Sequence, residues 1–448
     1  MSTHYDRFFC KDSGQYSGPI AGREDVNDMD VNRRRLPADQ AVAPVIPPSS
    51  AAPKSGNGVA PADLRRVNER VVLAAMDVTQ SWRVAELMRV TGLTRVTVMD
   101  VLRGLQDKNW VLAESATSGG RGRPAAVFRR QVADGLVAGL DIGAYDLRAA
   151  VTDLTGSVLA QAYAAVTPQL PRADRLGLAV DLVNRCLSDA GRDPAELWLA
   201  NAATTGTIGE DGVVRRSAAI ADWAGFDLAG QLRERLGVPV AVGNDVQLAG
   251  FAEQRWGAAQ GCAQAMLLWL GRRPSVSLVL DGKPYGGRHG TAGDLSMAGL
   301  RPDDRSWSGS GSWLKAPKLS GHHDAEDPFG AVLAAAREGD AAALEAVSRW
   351  LEQLAPVVSL ATAIVDPELV VLGGPLCSIA DTVLPVLAAD LERHLQVPPQ
   401  LSVSRFGADA VADVAARRAA EMVHERLLDN DGRGIAPLRR EALRPTGP

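Results

Sequence analysis

Within residues 64–112, apolar side chains recur at helical spacing in three successive segments. A short apolar run typical of a β-strand follows them. A first amphipathic helix is predicted over residues 64–78, with five residues on its inner side: Val67, Val71, Val72, Ala75 and Met76. A second, shorter helix is indicated by four apolar residues: Val84, Leu87, Met88 and Val90. The turn between this helix and a third helix is predicted at Thr91-Gly92-Leu93.

The third helix has a defined start at Thr94. The Thr94 hydroxyl can accept a hydrogen bond from a first-turn backbone N–H, which otherwise has no partner inside the helix. Four apolar residues then recur on one face: Val98, Val101, Leu102 and Leu105. Two short strands are predicted afterwards, at residues 110–112 and 126–128, and a loop rich in Gly and Arg at residues 119–124 lies between them.

This order of elements is typical of a winged helix-turn-helix that binds DNA. The alternative is a small helical bundle that binds nothing. The loop favours DNA, because glycines let the backbone approach a narrow groove and arginines meet the negative potential there. Four residues are predicted to contact DNA from the third helix in the major groove, and two from the loop in the minor groove: Thr94, Arg95, Thr97, Arg103, Arg121 and Arg123. Asp100 either accepts from a cytosine amino group or turns toward Arg103 or solvent.

From residue 136 onward, buried strands alternate with helices, which predicts layers of a mixed α/β fold. Residues 1–60 lack periodicity and are predicted to be a disordered extension. The chain is therefore divided into this extension, a winged helix-turn-helix at 61–131, an α/β domain at 136–428 and a flexible tail at 429–448.

Charge supports this division. The 448-residue chain has a formal net charge of -5, yet residues 61–130 carry twelve Lys and Arg side chains against seven Asp and Glu. A basic segment beside an acidic body is typical of a nucleic-acid-binding unit attached to another function. The four cysteines lie far apart, so no zinc site or disulfide framework is indicated. Without a signal peptide or a long apolar run, we expect a soluble, cytoplasmic protein with no membrane partner.

Six motifs occur in order along residues 62–428: Gly120-Arg121-Gly122-Arg123-Pro124, Leu140-Asp141-Ile142-Gly143, Asn244-Asp245, Gly257-Ala258, the glycine-rich stretch 286–293, and Val371-Leu372-Gly373-Gly374. In order and spacing they resemble the ROK family of repressors, uncharacterised reading frames and sugar kinases, and specifically its winged-helix regulator branch. The resemblance implies that the winged helix-turn-helix is followed by a two-lobed, actin-like or ribonuclease-H-like sugar-kinase fold with a cleft between the lobes.

The sequence departs from the family's kinases where they hold ATP. In the kinases the first loop ends in small and basic residues, whereas Tyr145-Asp146 stand here, and a carboxylate repels triphosphate. The family's glycine-rich second phosphate loop corresponds to residues 270–277, where Pro274 removes a donor N–H and side chains replace glycines. Arg272 and Arg273 can still attract an anion. We therefore expect no kinase activity, no catalytic residue and no cofactor.

The resemblance also locates a sugar site. Asn244 and Asp245 match the family's sugar-binding pair, in which the Asp is the kinases' general base, and Asp294 keeps the carboxylate of a further motif. Three other polar partners are replaced: Gly243, Ile220 and Met297 stand in their places. The family's cysteine-rich zinc knuckle has no counterpart, and His322-His323 is expected on the surface, so no metal is expected.

The effector is therefore expected near Asn244, Asp245 and Asp294, as a sugar-like or anionic molecule. It is not an ordinary free hexose, because each lost partner leaves a sugar hydroxyl unpaired. The alternative is that Asn244 and Asp245 only cap the following helix.

The expected function is a DNA-binding transcriptional regulator, a repressor, whose degenerate sugar-kinase-like domain binds an effector or serves for oligomerisation. Its expected partners are double-stranded DNA and a second copy of itself, as a homodimer or homotetramer. Two other functions stay open. One is an active ROK sugar kinase with a fused DNA-binding head, which Asp245 favours. The other is a DNA-bound structural protein that senses no ligand.

Overall fold

The computed structural model describes residues 61–77, 80–115, 126–295, 328–407, 409–429 and 434–443. The N-terminal part, which we call the head, contains the helices α1 (Pro61–Ala75), α2 (Val84–Thr91) and α3 (Arg95–Asp107). Its strands are β1 (Ser81–Arg83), β2 (Val111–Ser115) and β3 (Ala126–Arg130). They form an antiparallel sheet with β3 in the middle. The order of these elements is consistent with the predicted winged helix-turn-helix.

The turn between α2 and α3 depends on Gly92, whose φ of 72° lies in the left-handed region that favours glycine. Thr94 caps α3 as predicted, because its side-chain oxygen accepts a hydrogen bond from the Thr97 backbone N–H at 3.3 Å. All four apolar residues predicted on the inner face of α3 are buried: Val98, Val101, Leu102 and Leu105.

The prediction for α1 was wrong in part. Val72 and Met76 are buried as expected, but Val67 and Val71 are 53% and 38% exposed. The helix has two apolar faces, and the periodicity alone does not say which of them is buried. The core instead contacts the face that carries Glu69, whose carboxylate is bonded by the Lys108 ammonium at 2.8 Å.

The body of the protein, residues 136–429, contains two sheets. The first lobe has the strands β4 (Leu136–Ile142), β5 (Asp146–Asp153), β6 (Val158–Ala165), β7 (Leu197–Thr204), β8 (Thr207–Ile208), β9 (Val214–Arg216) and β10 (Val240–Asn244). Five of them form one sheet in the order β10-β7-β4-β5-β6, while β8 and β9 pair separately. The helices α4 (Arg172–Asp189) and α5 (Leu228–Leu236) also belong to this lobe.

The second lobe has the strands β11 (Ala265–Trp269), β12 (Ser275–Leu280), β13 (Lys283–Tyr285), β14 (Leu369–Gly373) and β15 (Gln400–Val403). Their order in the sheet is β13-β12-β11-β14-β15. The remaining helices are α6 (Asp245–Trp256), α7 (Pro328–Arg337), α8 (Ala341–Val365), α9 (Ala380–His394) and α10 (Val411–Asp429). Both sheets mix parallel and antiparallel pairs, which confirms the predicted α/β class. None of the described helices is long and apolar enough to cross a membrane.

Helix α10 packs against the first sheet at very short range. Gly139 in β4 faces it, and a Cβ atom at this position would lie 2.0 Å from the Ala412 carbonyl oxygen and 2.2 Å from the Ala416 nitrogen. The absent side chain at Gly139 and the small side chains of α10 therefore let helix and sheet meet backbone to backbone.

Head and body share one hydrophobic core, which we call the joint. Trp110, just before β2, is completely buried in it, and its indole N–H donates to the Ala436 carbonyl oxygen at 2.7 Å. The Leu438 N–H donates to the Lys108 carbonyl oxygen at 2.9 Å. The head is therefore fixed to a segment that follows the body in the chain.

Residues 434–443 pack on the head instead of forming the flexible tail that was expected for 429–448. The reason is apolar burial, since four side chains of this segment are buried: Ile435, Ala436, Leu438 and Leu443. An ion pair between the Arg70 guanidinium and the Asp429 carboxylate, at 2.6 Å, ties the end of α10 to α1 beside them.

His424 of α10 also lies in the joint, with its ring centroid 6.4 Å from that of Trp110. Burial, together with the charge of Arg130, lowers the pKa of His424 to about 4, while the Ala420 carbonyl and the charge of Glu425 act in the opposite direction. The imidazole is therefore neutral at neutral pH, and its Nδ1 lies 2.9 Å from the Ala420 carbonyl oxygen.

Acidification is expected to destabilise the joint. Because the pKa of His424 is lower in the folded state than its ordinary value of 6.5, the unfolded chain binds this proton first as the pH falls. The free energy of unfolding should decrease between about pH 6.5 and pH 4, by up to about 3 kcal/mol. His424→Phe keeps an aromatic ring and removes the titration. Urea unfolding at several pH values should give a shallower pH dependence for this variant, and equal slopes would contradict the assignment.

Candidate functional site

The outer face of α3 is the first candidate site. Thr94, Arg95 and Arg103 are exposed and Thr97 is half-buried, so the structure places all four on or beside this face. Neither Arg95 nor Arg103 forms an ion pair with another described residue, which leaves both guanidinium groups available to phosphate or base edges. The remaining two predicted DNA contacts, Arg121 and Arg123, lie outside the described residues.

Polar groups on α3 are held within the head. The Thr94 and Thr97 hydroxyl oxygens are 2.9 Å apart and share a hydrogen bond. The Asp100 carboxylate lies 3.9 Å from the Arg65 guanidinium of α1, and not against Arg103. Within the described residues, Asp100 thus lies beside α1, and no ion pair on α3 engages Arg103.

The second candidate site is the cleft between the lobes, where β10 ends and α6 begins. The Asn244 side-chain oxygen accepts a hydrogen bond from the Gln247 N–H at 2.9 Å, and its amide donates to the Gly206 carbonyl oxygen at 3.0 Å. The Asp245 carboxylate accepts from the Val246 N–H at 2.9 Å. Asn244 thus has the helix-capping role of the alternative interpretation, with both ends of its side-chain amide engaged.

Two carboxyl groups in this cleft have perturbed acidity. Burial raises the pKa of Asp245, although the Val246 N–H and the charge of Arg273 oppose the shift. Burial raises the pKa of Asp141 well above its ordinary range, and the charges of Asp146 and Asp245 add to this. Perturbed carboxyl groups in a cleft are common at binding sites. Asp141 was quoted only as part of a motif, so the sequence reasoning missed it as a site residue.

The loop between β11 and β12 crosses from the second lobe to the first. The Arg273 guanidinium donates a hydrogen bond to the Ala218 carbonyl oxygen of the first lobe. Burial lowers the pKa of Arg273, and the charges of Tyr145, Asp294 and Asp245 oppose that shift. The charge of Arg273 therefore acts on two of the three predicted ligand-binding residues.

Arg272 is the second side chain of this loop that contacts the first lobe. Its guanidinium carbon lies 4.1 Å from the centroid of the Tyr145 ring in the first lobe and 5.1 Å from that of Phe329 in α7. These distances are typical of cation–π contacts. The Arg272 side chain of this loop is therefore packed against aromatic rings of the first lobe and of α7.

Asp294 follows Gly293, whose φ of 86° lies in the left-handed region that favours glycine. The Asp294 N–H donates to the Thr291 carbonyl oxygen at 3.1 Å. Met297 and His322-His323 lie outside the described residues. Ile220 and Trp223 are buried, and the Trp223 indole N–H donates to the Thr204 hydroxyl at 3.1 Å. Within the described part of the chain, no group of three His, Cys, Asp or Glu side chains is placed to hold a metal.

Known proteins resemble this chain in sequence and fold. Residues 137–303 match the ROK family. The xylose repressor of Bacillus subtilis is 21% identical over 52% of this chain and 60% of its own length. The bifunctional enzyme NanE/NanK of Brucella suis is 36% identical over 43% of this chain and 37% of its own length. The chain thus spans only part of each.

A solved structure covers more of the chain. A ROK family transcriptional regulator described as a homologue of the Escherichia coli MLC protein aligns with a TM-score of 0.62. The alignment covers 80% of this chain and 96% of that protein, at 20% identity. It confirms the sugar-kinase-like α/β fold predicted for the body and is consistent with the winged helix-turn-helix predicted for the head.

Proposed function

We propose that this chain, a member of the ROK family through residues 137–303, is a DNA-binding transcriptional regulator that acts as a repressor. The observation that carries the proposal is the exposed outer face of α3, with Arg95 and Arg103 unpaired among the described residues. A helix with such a face fits the major groove, and its arginines neutralise phosphates or bond guanine edges. Similarity to the Bacillus subtilis xylose repressor supports the same function.

In this proposal, residues 61–131 bind double-stranded DNA and residues 136–428 form the effector and oligomerisation domain. Residues 1–60 are an extension, and residues 429–448 follow the effector domain. The regulator acts as a homodimer or homotetramer, because two heads that bind adjacent half-sites gain affinity from being linked.

The loop rich in Gly and Arg at residues 119–124, which we call the wing, provides a test of DNA recognition. Replacing both Arg121 and Arg123 with Ala is expected to weaken operator binding more than non-specific binding, because arginines in a narrow minor groove sense its width as well as its charge. Chromatin immunoprecipitation identifies the operator. Titrations on operator and scrambled duplex at one salt concentration then measure both affinities. Equal losses on the two duplexes would reduce the wing to a general phosphate contact.

We propose further that the body has lost kinase activity. Arg272 stacks on Tyr145, Arg273 bonds Ala218, and Pro274 offers no N–H, so the β11–β12 loop cannot cradle a triphosphate. Asp245 alone does no phosphoryl transfer without a positioned nucleotide. Incubation with Mg-ATP and a panel of sugars is expected to give no sugar phosphate. A phosphorylated product would favour the alternative function, an active sugar kinase with a fused head.

The proposed effector is a sugar-like or anionic molecule that binds in the cleft near Asn244, Asp245 and Asp294. Arg273 supplies a cation there, and its charge acts on both Asp245 and Asp294. Calorimetric titration with glucose, N-acetylglucosamine and xylose is expected to show no micromolar binding, while their phosphates are the candidates for tighter binding. Micromolar binding of a free hexose that Asp245→Ala abolishes would overturn this assignment. Thermal-shift screening without any hit would favour a protein that senses no ligand.

A further inference from the structure

Val96, the second residue of α3, is an apolar side chain on the face where polar contacts to DNA are expected. It is 79% exposed. Since an α-helix turns by about 100° per residue, Val96 is about 160° from Val98 and about 180° from Leu105, both of which are buried. Val96 therefore stands at the middle of the outer face, between Arg95 and Thr97.

No contact among the described residues of the head accounts for a valine at this position. Its outward direction removes it from the core, and at an exposed helical site valine is a poorer helix former than alanine. The neighbouring polar groups have partners of their own, since the Thr94 and Thr97 hydroxyls bond each other and Asp100 lies beside Arg65. Val96 is thus the side chain of the first turn that is free to meet an apolar group.

We propose that Val96 reads the 5-methyl group of a thymine in the operator, an inference that rests on the DNA-binding function proposed above. In the major groove, thymine is the base that presents a methyl group, whereas the other base edges present donors and acceptors. The first residues of a recognition helix are the ones that approach base edges. On the same face, Arg95 and Arg103 bind the backbone phosphates and thereby hold Val96 close to the base edges.

The test begins with the duplex that the protein selects from a randomised pool. Each thymine of that duplex is replaced in turn by deoxyuridine, which keeps base pairing and removes only the methyl group. For the wild-type protein, replacement at one T·A pair in each half-site is expected to weaken binding about fourfold, the effect of exposing one buried methyl group. For Val96→Ala, the same replacement is expected to leave the affinity unchanged.

Val67→Ala is the matched control, because Val67 is a half-exposed valine of the same head that lies on α1. This variant should show the wild-type loss at the same thymine. A wild-type protein that binds the selected duplex but loses no affinity with any deoxyuridine would overturn the role of Val96 and leave DNA binding intact. Failure to select any duplex would instead contradict the proposed function itself. Since Val96 is exposed and alanine is the better helix former, Val96→Ala should unfold at the wild-type temperature or slightly above it, which checks that the variant is folded.

Discussion

Replacing Trp110 with Ala is expected to lower the free energy of unfolding by about 3–5 kcal/mol, the range for removing a fully buried aromatic side chain. The same change should weaken operator binding about tenfold, because a loosened joint no longer presents two heads of an oligomer as a fixed pair. Urea unfolding followed by far-ultraviolet circular dichroism measures the first effect. Titration of operator duplex at a temperature where the variant is still folded measures the second.

Trp110→Phe separates the two contributions of this side chain. Phenylalanine keeps an aromatic ring in the core but cannot donate to the Ala436 carbonyl oxygen, which the indole N–H reaches at 2.7 Å. A loss of about 1–2 kcal/mol is expected, the effect of leaving one buried acceptor without its donor. If Trp110→Ala unfolded at the wild-type urea concentration, the joint would not stabilise the protein.

Gly139→Ala is expected to be as damaging, although it adds only one methyl group. The new Cβ would meet the Ala412 carbonyl oxygen and the Ala416 nitrogen, which are backbone atoms that no rotamer change can move. Helix α10 must then shift away from β4, at about 3 kcal/mol or more in the free energy of unfolding. The damage should reach the head, because α10 carries His424 into the joint. Thermal unfolding of the purified variant is the measurement.

Gly177→Ala is the matched control for this substitution. Gly177 lies inside α4, and its added Cβ would have no other atom within 4 Å. Alanine is the better helix former, so a gain of about 0.5–1 kcal/mol is expected. If both alanine variants behaved alike, the close approach of α10 to β4 would not determine stability.

Local signals in the sequence were enough for α3. The Thr94 cap and the spacing of Val98, Leu102 and Leu105 depend only on neighbours within a few turns, and the structure confirms each of them. The error at Val67 and Val71 has the opposite origin. The buried face of α1 packs against residues far away in the chain, and Lys108, the partner of Glu69, is one of them. No local period contains that information.

The cleft also combines features that residue types alone predict with features that only long-range contacts create. The sequence identified the loss of glycines at residues 270–277, because that needs only a comparison of residue types. It did not reveal that Arg272 would stack on Tyr145 or that Arg273 would bond Ala218, since both contacts cross between lobes. Asp245 and Asp294 were named from motifs, and their roles as effector ligands stay predictions. Asp141 was overlooked because its raised pKa comes from burial that only the folded cleft creates.

The joint also sets an order of events during synthesis. Trp110 and the Ala436 carbonyl oxygen that receives its N–H are 326 residues apart in the chain. A growing polypeptide emerges from the ribosome with the head first, and domains generally fold as they appear. Until residues 434–443 have been made, the Trp110 N–H lacks the Ala436 acceptor and the head lacks the apolar side chains of that segment. Translation products that stop before that segment therefore carry α3 without the contacts of residues 434–443, and such incomplete chains are substrates for proteases and chaperones.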